Sequence, residues 1–324
     1  MMTGDVSYIL PIRSSEAVSQ ELVSYLQWLS KEVALIIVDG SAEPIFSQHA
    51  AQWATLDAIH IAPDPEYRLF ANGKVGGVLT GLKRVQTPLA IVADDDVRYD
   101  AQGLAAMRNA LERADVVRPQ NYFHPLPWHA CLDTARTLLN RISGGDWPGT
   151  LGVRSGIVMT AGGYDGDVLF ENLELVRTVI AAGGSHECPL DLYVRRLPPS
   201  TGHFWSQRVR QAYDEIARPL RLAVWLAVLP GVTLLAATGH AWIIAVGCGA
   251  AIVAAEAGRW RSGGRRFFPA RAAWLAPLWI AERAVCSWLA VAAWTIWGGI
   301  PYRGRIVTRA ATPMRRLQRR LQGA

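Results

Sequence analysis

The sequence predicts an α/β fold, a mostly parallel sheet flanked by helices, followed by a C-terminal membrane helical region. Three observations predict it. Short apolar runs alternate with helix-like segments over roughly the first two-thirds of the 324 residues, acidic residues stand where two of those runs end, and no Asp, Glu, Lys or Arg occurs from 222 to 255. Strands that are apolar throughout are buried on both faces, as in parallel sheets covered by helices.

Residues 6–12 read as a buried strand and 16–30 as a helix. The run 33–38 (VALIIV) is a second strand ending at Asp39 and Gly40. A short third strand covers 58–62 and a helix covers 74–86. The fourth strand, 89–93, ends in Asp94, Asp95 and Asp96. Ligands of open parallel sheets sit beyond the carboxyl ends of the strands, so Asp39 and the Asp94 cluster fall where a site belongs. After Val117 the pattern loosens into a segment, 119–150, rich in Pro, Trp and His. A strand-like run at 152–160 enters the turn Ala161-Gly162-Gly163-Tyr164-Asp165, and 169–182 reads as a helix.

Residues 222–257 have room for two helical passes broken near Thr238, Gly239 and His240, each about 17 residues, the lower limit for a membrane span. A third apolar run, 272–300, holds Glu282 and Arg283 near its middle, a costly pair in lipid. Two passes leave the basic loop 258–271 on the cytoplasmic side. A third would export Arg303, Arg305, Arg309, Arg315, Arg316, Arg319 and Arg320, against the cytoplasmic bias of arginine. The run 272–299 is therefore expected in the membrane interface or packed on protein. The start of the sequence has neither a basic opening nor a long apolar run, so no signal peptide is expected and the first domain stays cytosolic. The expected division is 1–217 for the α/β domain, 218–300 for the membrane hairpin plus interfacial helical segment, and 301–324 for a basic cytoplasmic tail.

The net charge of +6 suits nucleic acid or anionic lipid. Arg259, Arg261, Arg265, Arg266 and Arg271 stand beside apolar runs, which favours membrane lipids. No nucleic-acid-binding motif is present, so no nucleic-acid partner is expected. The four cysteines, at 131, 188, 248 and 286, form no CxxC and predict neither a disulfide framework nor a metal site.

Three carboxylates directly after an apolar strand repel one another unless a cation neutralises them. Mg²⁺ and Mn²⁺ suit carboxylate oxygens and usually also hold substrate phosphates. Asp94 and Asp96 share one side of an extended segment, so one can position a substrate while the other ligates metal. The plain alternative is a polar turn with an Asp cap.

These residues resemble family 2 glycosyltransferases with the GT-A, Rossmann-like fold, over roughly residues 5–215. The Asp-x-Asp element is met by Asp94 and Asp96, which the resemblance makes the metal residues, with Asp94 and Asp95 beside the donor. The strand-one Pro and the Val-Asp-x-Ser that hold the nucleotide are Pro11 and Val38-Asp39-Gly40-Ser41. An Asn-Gly-Lys opening a helix appears as Asn72-Gly73-Lys74, with Gly81 following. On the acceptor side, Gly162-Gly163-Tyr164-Asp165 precedes Phe170-Glu171-Asn172-Leu173-Glu174-Leu175. There Asn172 takes the place of the Asp that usually serves as general base. An amide cannot accept the proton at neutral pH, so Glu171 is the expected base in the catalytic pair Glu171 and Asn172. Gln207-Arg208-Val209-Arg210-Gln211 resembles the Gln-x-x-Arg-Trp element that closes over pyrophosphate, which places Gln207, Arg208 and Arg210 at the donor.

The resemblance extends to the membrane-associated, ceramide-glucosyltransferase-like branch. It implies a metal-dependent (Mg²⁺ or Mn²⁺) inverting transfer of a sugar from a nucleotide-sugar, a UDP-sugar, to a lipid or glycan acceptor at the cytoplasmic face of the cell (inner) membrane. Two other readings stand beside it. A nucleotidyltransferase of sugar or lipid activation needs a Gly-rich basic loop after the first strand, where this sequence has Pro11-Ile12-Arg13-Ser14-Ser15. A catalytically impaired membrane scaffold on the same fold is suggested by Asn172 and Gln211.

Overall fold

The computed structural model describes residues 5–302 and 304–322. Residues 1–4, Arg303 and the last two residues of the basic tail lie outside them. The chain divides into two compact units, Met1–Pro119 with Pro148–Val194 and Thr312–Ala324, and Gln120–Trp147 with Arg195–Ala311. Residues 120–147 and 195–217 group with the apolar helices, because the helix Trp128–Asn140 packs on them.

The first unit is built on a seven-stranded sheet. Strands β1 (Val6–Ile12), β2 (Ala34–Asp39), β3 (Ala58–Ile61) and β4 (Leu89–Ala93) pair in parallel in the order β3-β2-β1-β4. The sheet continues through Thr150–Arg154, antiparallel to β4, then Val116–Val117 and His186–Glu187. The apolar run around 152–160, expected as one strand, turns into the helix Ser155–Thr160 after Arg154.

Strands β1 and β2 end in register, with Pro11 beside Val38 and Ile12 beside Asp39. Leu10, Leu35, Ile37, Ile91 and Ala93 form one core with Leu26 and Leu29 of helix α1 (Gln20–Glu32). Two further helices bear on the site, α2 (Ile45–Gln52) and α3 (Gly73–Leu82). Asn72 caps α3, its side chain accepting from the Lys74 N–H, as short polar side chains do at helix starts. Glycines let α3 lie close on β1: a Cβ at Gly77 would come within 2.8 Å of Pro11 Cβ.

In the second unit, Pro219–Ala237, Ala241–Trp260 and Ala276–Trp297 mark three helices long and apolar enough to cross a membrane. The first two are joined at Thr238, Gly239 and His240, where Gly239 takes a φ of 78°. The third covers most of the run 272–299. It is one continuous 22-residue helix with the length of a span, although 44% of its most apolar window is buried in protein. Its Glu282 is paired within the protein. Arg208, 1% exposed, donates through Nε and Nη2 to Glu282 at 3.0 and 2.5 Å and through Nη1 to Asp133 at 2.8 Å. Burial would raise the Asp133 carboxyl, but Arg136 and Arg208 outweigh it and hold it well below the usual carboxylate range.

Removing one partner of a buried ion network leaves the others uncompensated, at about 3–5 kcal/mol. Arg208→Gln is therefore expected to destabilise the protein by about that amount. Thermal unfolding in detergent checks this; an unchanged midpoint would show that the network contributes nothing.

Candidate functional site

The carboxyl edge of the sheet gathers most of the residues singled out by sequence. Asp39, ending β2, is 1% exposed. Its Oδ1 accepts from the Ser41 N–H at 2.8 Å. Its Oδ2 lies 2.7 Å from His49 Nδ1 and 3.2 Å from His60 Nε2. Both imidazoles are packed, His60 stacking on Phe46 with centroids 4.5 Å apart. Burial works to raise the Asp39 pKa, but the hydrogen bonds from Ser41, His49 and His60 prevail and lower it. Nothing in the spacing of His49 or His60 marks them in the sequence; α2 and β3 bring them to Asp39. Pro11, half-buried, stands beside Val38 one position before the end of β1.

The centre of the site is Lys74. Its Nζ lies 2.6 Å from Asp94 Oδ1 and 2.9 Å from Glu171 Oε1. The three side chains come from the start of α3, the end of β4 and the first residue of the helix Glu171–Ala181. Burial alone would depress the ammonium, yet the two carboxylates raise its pKa far above the ordinary lysine value, so it stays charged. Tyr164, 4% exposed, is close enough to feel the same charges. Burial first, then Glu171, Asp94 and Glu174, push its phenol up against the opposing effect of Lys74.

Asp94, Asp95 and Asp96 form the turn after β4, with Asp94 and Asp96 half-buried and Asp95 exposed. The Asp94 N–H donates to Gly149 C=O at 2.8 Å, and the neighbouring Pro148 C=O accepts from Asn172 Nδ2 at 2.9 Å. Asn172, expected in the catalytic pair, is thus a donor to the backbone of the 148–149 loop, which holds Asp94. Glu174, one turn on, is fully buried; its Oε2 accepts from the Thr312 N–H at 2.6 Å. Burial raises its carboxyl despite that bond.

Gln207, Arg208 and Arg210 belong to the second unit. Arg208, expected at a pyrophosphate, has its guanidinium filled by Asp133 and Glu282 as described, because each buried cation needs its own anion. Arg210 lies over the Tyr302 ring, 5.0 Å from its centroid, and Gln207 lies against His203.

Among the described residues no group of three or more His, Cys, Asp or Glu side chains is placed to hold a metal. Asp94 and Asp96 present two half-buried carboxylates after β4. Mg²⁺ and Mn²⁺ are commonly held by one or two carboxylates, with substrate phosphates and water completing the shell.

The parallel sheet, the acidic turn after its fourth strand and the antiparallel strand beside it define an α/β architecture with its acidic turn at the carboxyl edge of the sheet. Among solved structures, the mannosyltransferase PcManGT from Pyrobaculum calidifontis, in complex with GDP-mannose and Mn²⁺, matches with a TM-score of 0.51 at 16% identity, over 87% of this chain and 86% of that one. TarS (residues 1–349) from S. aureus, in complex with UDP-GlcNAc, matches at 0.44 and 12% identity, over 62% and 61%. No family model and no curated protein matches the sequence.

A carboxyl whose folded pKa is lowered stabilises the fold above its unfolded pKa and loses that contribution as pH falls through the folded value. Asp39→Asn should therefore flatten the acid limb of stability below about pH 4, the ordinary Asp range. Denaturant midpoints taken across pH 2.5–6 check this, and parallel acid limbs for variant and wild type would contradict it.

Proposed function

We propose that this chain is a membrane-associated glycosyltransferase that moves a sugar from a nucleotide-sugar donor to a lipid or glycan acceptor. The observation that carries the reading is the convergence of Lys74, Asp94 and Glu171 at the carboxyl edge of this sheet, where ligands of open α/β folds bind. Such a donor places a diphosphate, which needs cations, beside an acceptor hydroxyl, which needs a base.

In the direct inverting reaction the acceptor oxygen bonds to the anomeric carbon as the carbon–oxygen bond to the diphosphate breaks. The hydroxyl proton passes to Glu171, and the nucleoside diphosphate leaves with the bonding pair. Lys74 holds Glu171 and Asp94 in one frame. Asp94 and Asp96 would hold Mg²⁺ or Mn²⁺, which offsets the leaving group's charge. Asp95, Pro11 and Asp39 are assigned to the donor. A UDP-sugar is the expected donor, and GDP-mannose is the alternative drawn from the mannosyltransferase of similar fold.

The reaction is placed at the cytoplasmic face of the cell membrane. Residues 5–119 and 312–322 belong to one compact unit and so lie on one side of the bilayer. The chain between them must then cross an even number of times. The two helices joined at Gly239 make the crossing, and Ala276–Trp297, the most buried of the three and the one bearing Glu282, does not complete another.

Loss of a general base costs typically about a hundred- to ten-thousand-fold in rate. Glu171→Gln should lower turnover in that range with donor affinity nearly unchanged, and Asp96→Ala or excess EDTA should abolish transfer. Assays with UDP- and GDP-sugars, after thermal-shift screening with Mn²⁺, check both. Full activity of Glu171→Gln would remove the base assignment, full activity in EDTA the metal. Pyrophosphate release in place of a nucleoside diphosphate would point to nucleotidyl transfer.

Asn172 is assigned a positioning role. A carboxylate at 172 has no proton to give Pro148 C=O and would face it with like charge. Asn172→Asp should therefore raise the donor KM more than it lowers kcat, and Asn172→Gln, which keeps the amide, should recover part of the loss. An Asn172→Asp enzyme faster than wild type would instead make 172 the site of the base.

A further inference from the structure

The last described segment of the chain is the helix Met314–Gln322, sequence MRRLQRRLQ. At 3.6 residues per turn its arginines, Arg315, Arg316, Arg319 and Arg320, fall within an arc of about 140°. All four are exposed. Leu317, on the opposite side, is 1% exposed, and Met314 and Leu321 are half-buried beside it. None of the four arginines forms an ion pair among the described residues, so four like charges stand together on one face with no anion among those residues to offset them.

This helix is fixed in place. It packs on the helix Glu171–Ala181 within the α/β unit. The residue two before it, Thr312, is held at both backbone groups: its N–H donates to Glu174 Oε2 at 2.6 Å, and its C=O accepts from Arg177 Nη1 at 3.0 Å. Glu174 and Arg177 lie three apart on one face of their helix. The arginine face therefore belongs to a folded surface.

We propose that this arginine face docks on the anionic surface of a lipid bilayer. Three observations on this chain favour lipid phosphates over another polyanion. The chain carries helices able to enter a bilayer. The third of these ends at Trp297, with only 16 residues between it and Met314, which keeps the arginines within reach of the membrane surface. The helix presents its four arginines on one exposed face, and clustered arginine attracts acidic headgroups. The inference rests on the membrane placement proposed above and is independent of glycosyl transfer.

Each arginine near an acidic surface strengthens its attraction by about fivefold, so four give on the order of several hundredfold. The test is amide hydrogen exchange on the full chain in nanodiscs of phosphatidylcholine alone or mixed with phosphatidylglycerol. Exchange across 315–321 should slow at least about tenfold in the acidic discs. That protection should vanish at high salt and in the quadruple variant R315Q/R316Q/R319Q/R320Q, and persist in the corresponding all-lysine variant. Exchange across 171–181 reports that the helix stays docked in each variant. If undocking spoils the glutamine variant, the salt and lysine arms decide. Equal exchange in the two discs overturns the proposal. Protection by added duplex RNA in phosphatidylcholine discs, with none from phosphatidylglycerol, overturns it in favour of nucleic acid. Loss of transfer with lipid-dependent protection intact would count against the enzymatic reading alone.

Discussion

A single ammonium group held between two carboxylates sets the terms on which the α/β unit is assembled. Lys74 meets Asp94 across 20 residues of sequence and Glu171 across 97. The start of one helix, the end of one strand and the start of a second helix must therefore arrive together. Partly buried charges are tolerated only when paired, so loosening any one element exposes the other two to an unbalanced charge. The apolar core brings these ends close, and the ion pairs then fix their register. Gly77 is part of the same constraint. A side chain there would strike Pro11 and lift the helix carrying Lys74 away from the sheet edge.

The loop at 148–149 shows how backbone groups extend that frame. Its two carbonyls face opposite demands, Pro148 C=O taking the Asn172 amide and Gly149 C=O taking the Asp94 N–H. Read as a proton acceptor, an amide at 172 is a defect. Read as a donor, it is the chemistry that a carbonyl requires, and an ionised carboxylate could not supply it. The position adjacent to Glu171 is thereby committed to holding the loop that holds Asp94.

How much of this was legible in the sequence follows from the range of the interactions. Strands β1 to β4 and the helix Glu171–Ala181 could be read directly, because apolar runs and helical periods are local signals. The acidic turn and Lys74 were legible as types of residue at strand and helix ends. The strand Thr150–Arg154 was partly hidden, since the strand-like run that contains it continues past Arg154 and Ser155 into a helix. Long-range pairings were not legible at all. Nothing near Asp39 announces His49 and His60, and nothing near Arg208 announces Asp133 and Glu282, 75 and 74 residues away. Likewise nothing in the run 272–300 announces Arg208, which pairs with its Glu282.

The arginines make the same point about composition. Arg141 is wholly buried in the second unit, where it donates to Gly258 C=O at 3.0 Å and Arg261 C=O at 2.6 Å. It thereby satisfies carbonyls at the end of the helix Ala241–Trp260, which the helix itself leaves open. Arg208 neutralises two carboxylates. Both count toward the chain's positive charge, yet neither presents that charge to a partner. Arg315, Arg316, Arg319 and Arg320 carry the same formal charge and do present it. A net charge of +6 cannot separate these roles, because guanidinium groups serve equally as internal donors and as surface cations. What separates them is whether the fold supplies an acceptor, and among the described residues none pairs with the four at the C-terminal helix.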